Sequence, residues 1–343
     1  MAPGAVQAQE WWLSGLGVKQ SWKLTEGAGV TVAVLGTGVA ASQPDLAGSV
    51  FTGPDYTGSG RTPGGPYWGV DGTAAAAIIA GHGHGTGGET GLLGVAPAAR
   101  ILSVRVSLEP TDPLRSDQAI TSRLPDAIAD GIIYAVRYGA RIIDLPLAPA
   151  SAGQPGTTPA AAQAAEQAAV KYAVDHGTVL VAPAGDAGQV SGAASYPAAY
   201  PGVVAVGAVA RDGQVAGFSA RHGYVAVTAP GVNLVAANPD GGYPQISSTS
   251  TSSAIVAGVA ALVWSRFPQL TAAQVRQALT GSATVTNAAV QGTRSSTQAG
   301  GGHGTVDAAR AVALAASIAR SGQPSPAASA SRDTASPAAA PRP

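Results

Sequence analysis

The chain has 343 residues, 19 basic and 19 acidic side chains, and a charged fraction of only 11%. That balance excludes a basic field for nucleic acid or an anionic membrane surface, and the absence of cysteine excludes disulfide and thiolate chemistry. No apolar run of about 18 residues occurs, so no membrane span is expected, and Met1 is not followed by the charged and apolar segments of a secretory leader.

In chain order, Gln9 to Leu24 carries Trp11, Trp12, Leu13, Leu16, Val18 and Trp22, an amphipathic arm expected to pack on the main body. Val30 to Leu35 is a continuous β-branched run, read as a buried parallel strand that ends at the turn Gly36-Thr37-Gly38. Asp71 to Ala80 reads as a buried helix closed by Gly81, followed by a His/Gly loop to Gly94 and a strand over Ile101–Val106. Pro125 opens a helix with Ile128, Ile132, Ala135 and Val136 inward. Ile142 to Leu147 reads as a strand interrupted by Pro146, and Thr158-Pro159 as the cap of a helix running to Gly177. Strands are expected over Thr178–Ala182, Val203–Val209 and Tyr224–Thr228. Thr271 caps a short helix, and Thr305–Ile318 reads as the final one. From Ser321 the Pro/Ala/Ser composition cannot bury a core, which predicts disorder.

The stretch from Ser247 to Trp264 organises the rest. A run of hydroxyl residues leads into an apolar segment, Ala254–Trp264, with no charge before Arg266. Hydroxyls favour helix N-caps, and a helix apolar on every face is buried. A serine at such an N-terminus sits among orphan N–H groups and the positive end of the macrodipole, a setting that suits a nucleophile. The same pattern also describes a capped core helix with no chemistry. Strand and helix alternate from Val30 to Trp264, the signature of an open, mostly parallel α/β sheet whose sites lie at the carboxyl ends of the strands. Gly36, Asp186 and the Pro146 region all fall at such ends.

Several motifs resemble the subtilisin-like serine proteases. Ser248-Thr-Ser-Thr-Ser-Ser-Ala-Ile-Val-Ala-Gly-Val-Ala-Ala261 is similar to the serine motif, with Ser250 on the nucleophile. Gly27 to Val39, followed by Pro44-Asp-Leu46, resembles the aspartate motif, and Asp71 to Gly81 with Gly94 to Val106 resembles the histidine helix and its following strand. Gly302 to Arg310 is similar to the closing motif. The tryptophan-rich entry, the His/Gly loop and the Ala/Pro tail resemble the mycosins, subtilases associated with type VII secretion. The resemblance implies a three-layer subtilisin-like α/β fold, with a mostly parallel central sheet flanked by helices. It implies an arm over 1–26, a subtilase domain over 27–318 and a tail over 319–343.

By the same resemblance the aspartate position holds Gly36, the histidine position Asp71 and the oxyanion-hole asparagine position Asp186. The substrate-lining segment reads Pro146-Leu147-Ala148, and only Ser250 is retained. A serine hydroxyl needs a base with a pKa near the working pH, and an ordinary carboxylate near 4 is a poor one at neutrality. An ionised Asp186 would offer an acceptor where a developing oxyanion needs a donor, and one lost donor costs about 10²–10³ in rate. Loss of the nucleophile or its base costs about 10⁶.

His84 lies too close to Gly94 to precede the buried helix, so His82 and His84 read as a solvated loop. They lack a third ligand for a metal, and no cofactor is implied. His176 and His222 read as helix-end and surface residues, and His303 as part of a turn. The resemblance therefore implies a pseudopeptidase that binds a peptide, a protein or secretion-machinery components at the cell envelope or outside it, including by peptide pairing on the sheet edge near Leu147. The competing implication is an acid-dependent serine endopeptidase. The sedolisins share the fold, use a Ser-Glu-Asp triad and place an aspartate in the oxyanion hole. Asp71 and Asp186 match half of that arrangement, while Ala75 occupies the place of the second carboxylate.

Overall fold

A computed structural model describes residues 4–147, 160–188, 194–284 and 302–321. In chain order its strands are β1 (Thr31–Gly36), β2 (Val50–Asp55), β3 (His82–His84), β4 (Thr90–Leu93), β5 (Arg100–Arg105), β6 (Ile142–Asp144), β7 (Val179–Pro183), β8 (Val203–Val209), β9 (Val225–Pro230), β10 (Leu234–Val235) and β11 (Gln245–Ile246). The α-helices are α1 (Trp11–Gly15), α2 (Val18–Ser21), α3 (Val70–Ala80), α4 (Gln118–Thr121), α5 (Leu124–Arg137), α6 (Ala160–Asp175), α7 (Thr249–Arg266), α8 (Ala272–Ser282) and α9 (Ala308–Ser321).

Seven strands form one parallel sheet in the order β2-β5-β1-β6-β7-β8-β9. Its central strands are apolar on both faces, as a doubly covered parallel sheet requires. Along β1 the alternation sorts the layers. Val32 and Val34 join the core shared with α3, α7, α8 and α9, whereas Ala33 and Leu35 join the core beneath α5 and α6. The result is the three-layer α/β arrangement expected, and no helix among the described residues is long and apolar enough to cross a membrane.

Helix α7 runs through the middle of the first core. Ser248 is its N-cap and accepts from the Ser250 N–H, and every residue from Thr251 to Trp264 is buried. The arm folds as α1 and α2, burying Trp12, Leu13, Leu16 and Val18, and Trp22 Nε1 donates to the Val95 carbonyl at 2.9 Å. Thr271 and Gln274 form a reciprocal capping box on α8.

Several elements differ from expectation. The His/Gly stretch is a β3–β4 hairpin rather than a plain loop. Its glycines supply positive φ at Gly83, Gly85, Gly87, Gly88 and Gly91, so composition hides the strands. β2 went unread because it is an edge strand containing Gly53 and Pro54, with an apolar pattern too weak to mark it. The β10–β11 pair went unread because each strand has only two residues. β6 stops at Asp144, since Pro146 cannot donate to a ladder and Leu147 N–H turns back to the Leu145 carbonyl at 2.6 Å. α9 starts at Ala308, because Thr305 is held in bridges to Thr228 and Thr284. The Thr158-Pro159 cap and the tail after Ser321 lie outside the described residues.

Candidate functional site

Three strand ends and two helix starts meet at the carboxyl edge of the sheet. Gly36 is the last residue of β1, and its carbonyl accepts from the Val106 and Ser107 N–H groups. A Cβ built on Gly36 would meet only Pro146 Cγ, at an ordinary 3.5 Å. Two residues on, Gly38 has φ +98° and lies against the Trp68 indole, a position that accepts no side chain.

At the start of α7 the hydroxyl run is consumed locally. Thr251 Oγ1 donates to the Ser248 carbonyl, Ser252 Oγ to Ala229 and Pro230, and Ser253 Oγ to the Ser250 carbonyl. Asp186, just past β7, faces this N-terminus. Its Oδ2 accepts from Ser248 Oγ at 2.7 Å, and its Oδ1 accepts from Thr249 N at 2.8 Å and Thr249 Oγ1 at 2.7 Å. A carboxylate holding three donors at a helix N-terminus is doubly favoured, by the hydrogen bonds and by the macrodipole. Ser250 is half-buried. Its N–H and carbonyl are both bonded, and its hydroxyl makes no hydrogen bond to another described residue.

Asp71 is the second residue of α3 and is half-buried. Burial raises its pKa above the ordinary carboxylate range, opposed by Arg115. The sequence reading missed its neighbour Glu109, which is 1% exposed and lies on the segment after β5. Glu109 Oε1 accepts from Val70 N at 2.5 Å, whereas Oε2 is buried with no partner. Burial, then the charge of Asp71, raises the Glu109 pKa, opposed by hydrogen bonds from Thr37 and the Val70 and Asp71 backbone. A second carboxyl therefore does stand beside Asp71. It comes from a different element than the α3 turn at Ala75, where the sequence offered none.

Asp144 was also missed. It ends β6 at the centre of the sheet, fully buried, with neither carboxyl oxygen hydrogen-bonded. Its register partners are Val34 and Val181, so its side chain points to the α7 face near Ser253. Burial pushes its pKa to about 8, and the Ser253 hydroxyl only partly offsets this. An acid inside the apolar run Ile142-Ile143-Asp144-Leu145 was the available signal.

Residues 27–304 match the peptidase S8 model, described as the subtilase family. The chain belongs to the subtilase family. It is 36% identical over 247 residues to thermitase of Thermoactinomyces vulgaris, covering 72% of this chain and 79% of thermitase. Against subtilisin DY of Bacillus licheniformis the identity is 36% over 262 residues, covering 76% and 85%. Among solved structures, the MycP3 protease from the type VII (ESX-3) secretion system superposes with a TM-score of 0.71 at 31% identity, covering 91% of this chain and 89% of that one. MycP1 from the ESX-1 type VII system gives a TM-score of 0.70 at 30% identity, covering 88% and 85%.

Four histidines of this subtilase have their rings engaged by neighbours. Asp71 is the second of the 11 residues of α3, so roughly 14 Å of helix separates it from the hairpin that bears His84. His84 is not the solvated loop residue expected. Its Nδ1 lies 2.6 Å from Oδ1 of the fully buried Asp45. The Asp45 carboxylate also accepts from Leu92 N at 2.9 Å and Tyr243 Oη at 2.8 Å. His82 is likewise engaged, with Nε2 3.1 Å from the Ala47 carbonyl. His176 bonds the Tyr172 carbonyl at its helix end, and His222 stacks on Tyr224. Among the described residues no group of three His, Asp or Glu side chains could hold a metal ion.

Pro146 and Leu147, expected to line a substrate, follow β6 in a tight turn. Pro146 has no N–H, and that of Leu147 is spent on Leu145, so neither can donate to an extended peptide. Moreover, Leu147 follows β6 in the middle of the sheet, not at its edge. Ala148 lies outside the described residues.

Proposed function

We propose that this subtilase is a pseudopeptidase of the mycosin-like group, which holds a peptide or protein without cleaving it. The observation that carries the reading is Asp186, a carboxylate saturated by donors from Ser248 and Thr249. It presents negative charge where acyl transfer needs a hydrogen-bond donor. Among the described residues no base is bonded to the Ser250 hydroxyl, Gly36 has no side chain to orient one, and Asp71 stands at the histidine position. The solved neighbours from type VII secretion systems make secretion-machinery components the favoured partner class, at the cell envelope or outside it. In this reading residues 1–26 brace the 27–318 domain, and 319–343 are a tail. Any bound chain is held by side chains and by backbone donors other than Pro146 and Leu147.

The test is a fluorophosphonate probe together with casein cleavage across pH 3 to 8, with Ser250→Ala as control. No labelling at any pH is the expected result. Labelling at pH 7 to 8 that Ser250→Ala abolishes would overturn the reading.

One observation favours a second reading, an acid-dependent serine endopeptidase. Asp71 and Glu109 are adjacent carboxyls, and burial raises the pKa of each, the direction that acid–base work requires. Labelling confined to acidic pH and lost in both Ser250→Ala and Glu109→Gln would select it.

A further inference from the structure

We infer that the face of α3 beside Asp71 is a subsite for a cationic side chain, a lysine or arginine of the bound peptide. This rests on the peptide-holding role proposed above. Four carboxylates converge there, Asp55, Asp71, Glu109 and Asp112, against three guanidinium groups, Arg61, Arg105 and Arg115. Arg61 binds Asp112 through two nitrogens, at 2.6 and 3.2 Å. Arg105 is buried over the Trp68 ring, donates to the Tyr67 carbonyl at 3.0 Å, and lies 3.8 Å from Asp55 and 3.7 Å from Asp112. Arg115 offsets part of the Asp71 charge. The cluster is thus one cation short.

The deficit is localised. The Asp71 carboxyl has no hydrogen bond or ion pair to another described residue, and Glu109 Oε2 is buried without a partner beside it. Burying a carboxylate oxygen unpaired is costly, and an ammonium or guanidinium paired with the half-exposed Asp71 carboxyl would also offset the Glu109 charge behind it. The helix N-terminus would otherwise repel a cation, but Glu109 already occupies the N–H groups of Val70 and Asp71. Tyr67 and Val70 flank Asp71 with 36% and 41% exposure, apolar surface suited to the methylene stem of a long basic side chain. Three arginines nearby disfavour a divalent ion at the same place.

The experiment probes the labelled full-length chain at about pH 7 against an array of random hexapeptides built from Lys, Arg, Glu, Gln, Leu and Ala. Bound peptides are expected to be enriched in Lys and Arg about tenfold over Gln. Asp71→Asn, a half-exposed and nearly isosteric change, should abolish the enrichment while leaving apolar peptides bound. Glu109→Gln should weaken it. Binding without cation preference, or a preference unchanged in Asp71→Asn, would overturn the subsite and leave the peptide-holding role standing. An array with no bound peptide would overturn both. Displacement of lysine peptides by millimolar calcium, but not by sodium at equal ionic strength, would reassign the face to a metal and overturn the inference.

Discussion

Asp186 and Ser248 form a closed link across the candidate site: the Ser248 hydroxyl donates to Asp186 Oδ2 at 2.7 Å while accepting from Ser250 N at 3.0 Å. The N-cap and its carboxylate thus satisfy the first turn of α7 from within the chain. A helix start that serves an enzyme by offering N–H groups to a negative ligand is here already occupied by a negative side chain.

The link predicts the effect of Asp186→Asn. The amide is uncharged and has one acceptor oxygen in place of two, so at least one of three donors loses its partner. Urea unfolding at pH 7 should show a loss of about 1–2 kcal/mol. Equal stability would mean the contacts with Ser248 and Thr249 are energetically idle.

Asp144→Asn should act oppositely, with a distinctive pH profile. The folded-state pKa of Asp144 is about 8, above the ordinary value near 4. Below that ordinary value both states are protonated and there is no penalty. Above it the unfolded chain ionises while the folded one keeps its proton, so folding is progressively penalised until about pH 8. The variant should match the parent near pH 3.5 and exceed it at pH 8 by on the order of a few kcal/mol. Glu10, also raised to about 8, tilts both profiles alike, so the difference between them isolates Asp144. A constant gap at all pH values would refute the assignment.

Removing His84 tests the structural role of the hairpin. His84→Ala strips the buried Asp45 carboxylate of its 2.6 Å partner, leaving Leu92 N, Tyr243 Oη and, at 3.4 Å, Gln43 Nε2 as donors. Stability should fall by about 1–3 kcal/mol, with faster proteolytic nicking between β3 and β4. The fluorophosphonate response should not change. A change in that response would bring His84 into the chemistry.

Rebuilding the site is the most demanding check. Gly36 has room for a Cβ, so Gly36→Asp is sterically open at its first atom. Combined with Asp71→His and Asp186→Asn, it should raise probe labelling of Ser250 by at least about 10³ over the parent. No gain would place the block in the Pro146–Leu147 turn or in the segment carrying Glu109.

Local pattern was enough for the frame. The β-branched run of β1, the all-apolar α7 and the strand–helix alternation each force burial on both sides, and only a covered parallel sheet supplies that. Strand ends and helix starts were legible too, because they are set close in sequence: Gly36 closes β1, Asp186 follows β7, and Asp71 and Ser250 are the second residues of α3 and α7. Elements with one exposed face or many glycines, β2 and the β3–β4 hairpin, carried too little periodic signal. What only the tertiary structure decided were the long-range pairings. Glu109 reaches the start of α3 from the far end of β5, His84 closes on Asp45, and Asp144 lies under Ser253. Such contacts join residues tens of positions apart, and electrostatic character follows from desolvation. No local sequence window encodes which oxygen is left without water or a partner.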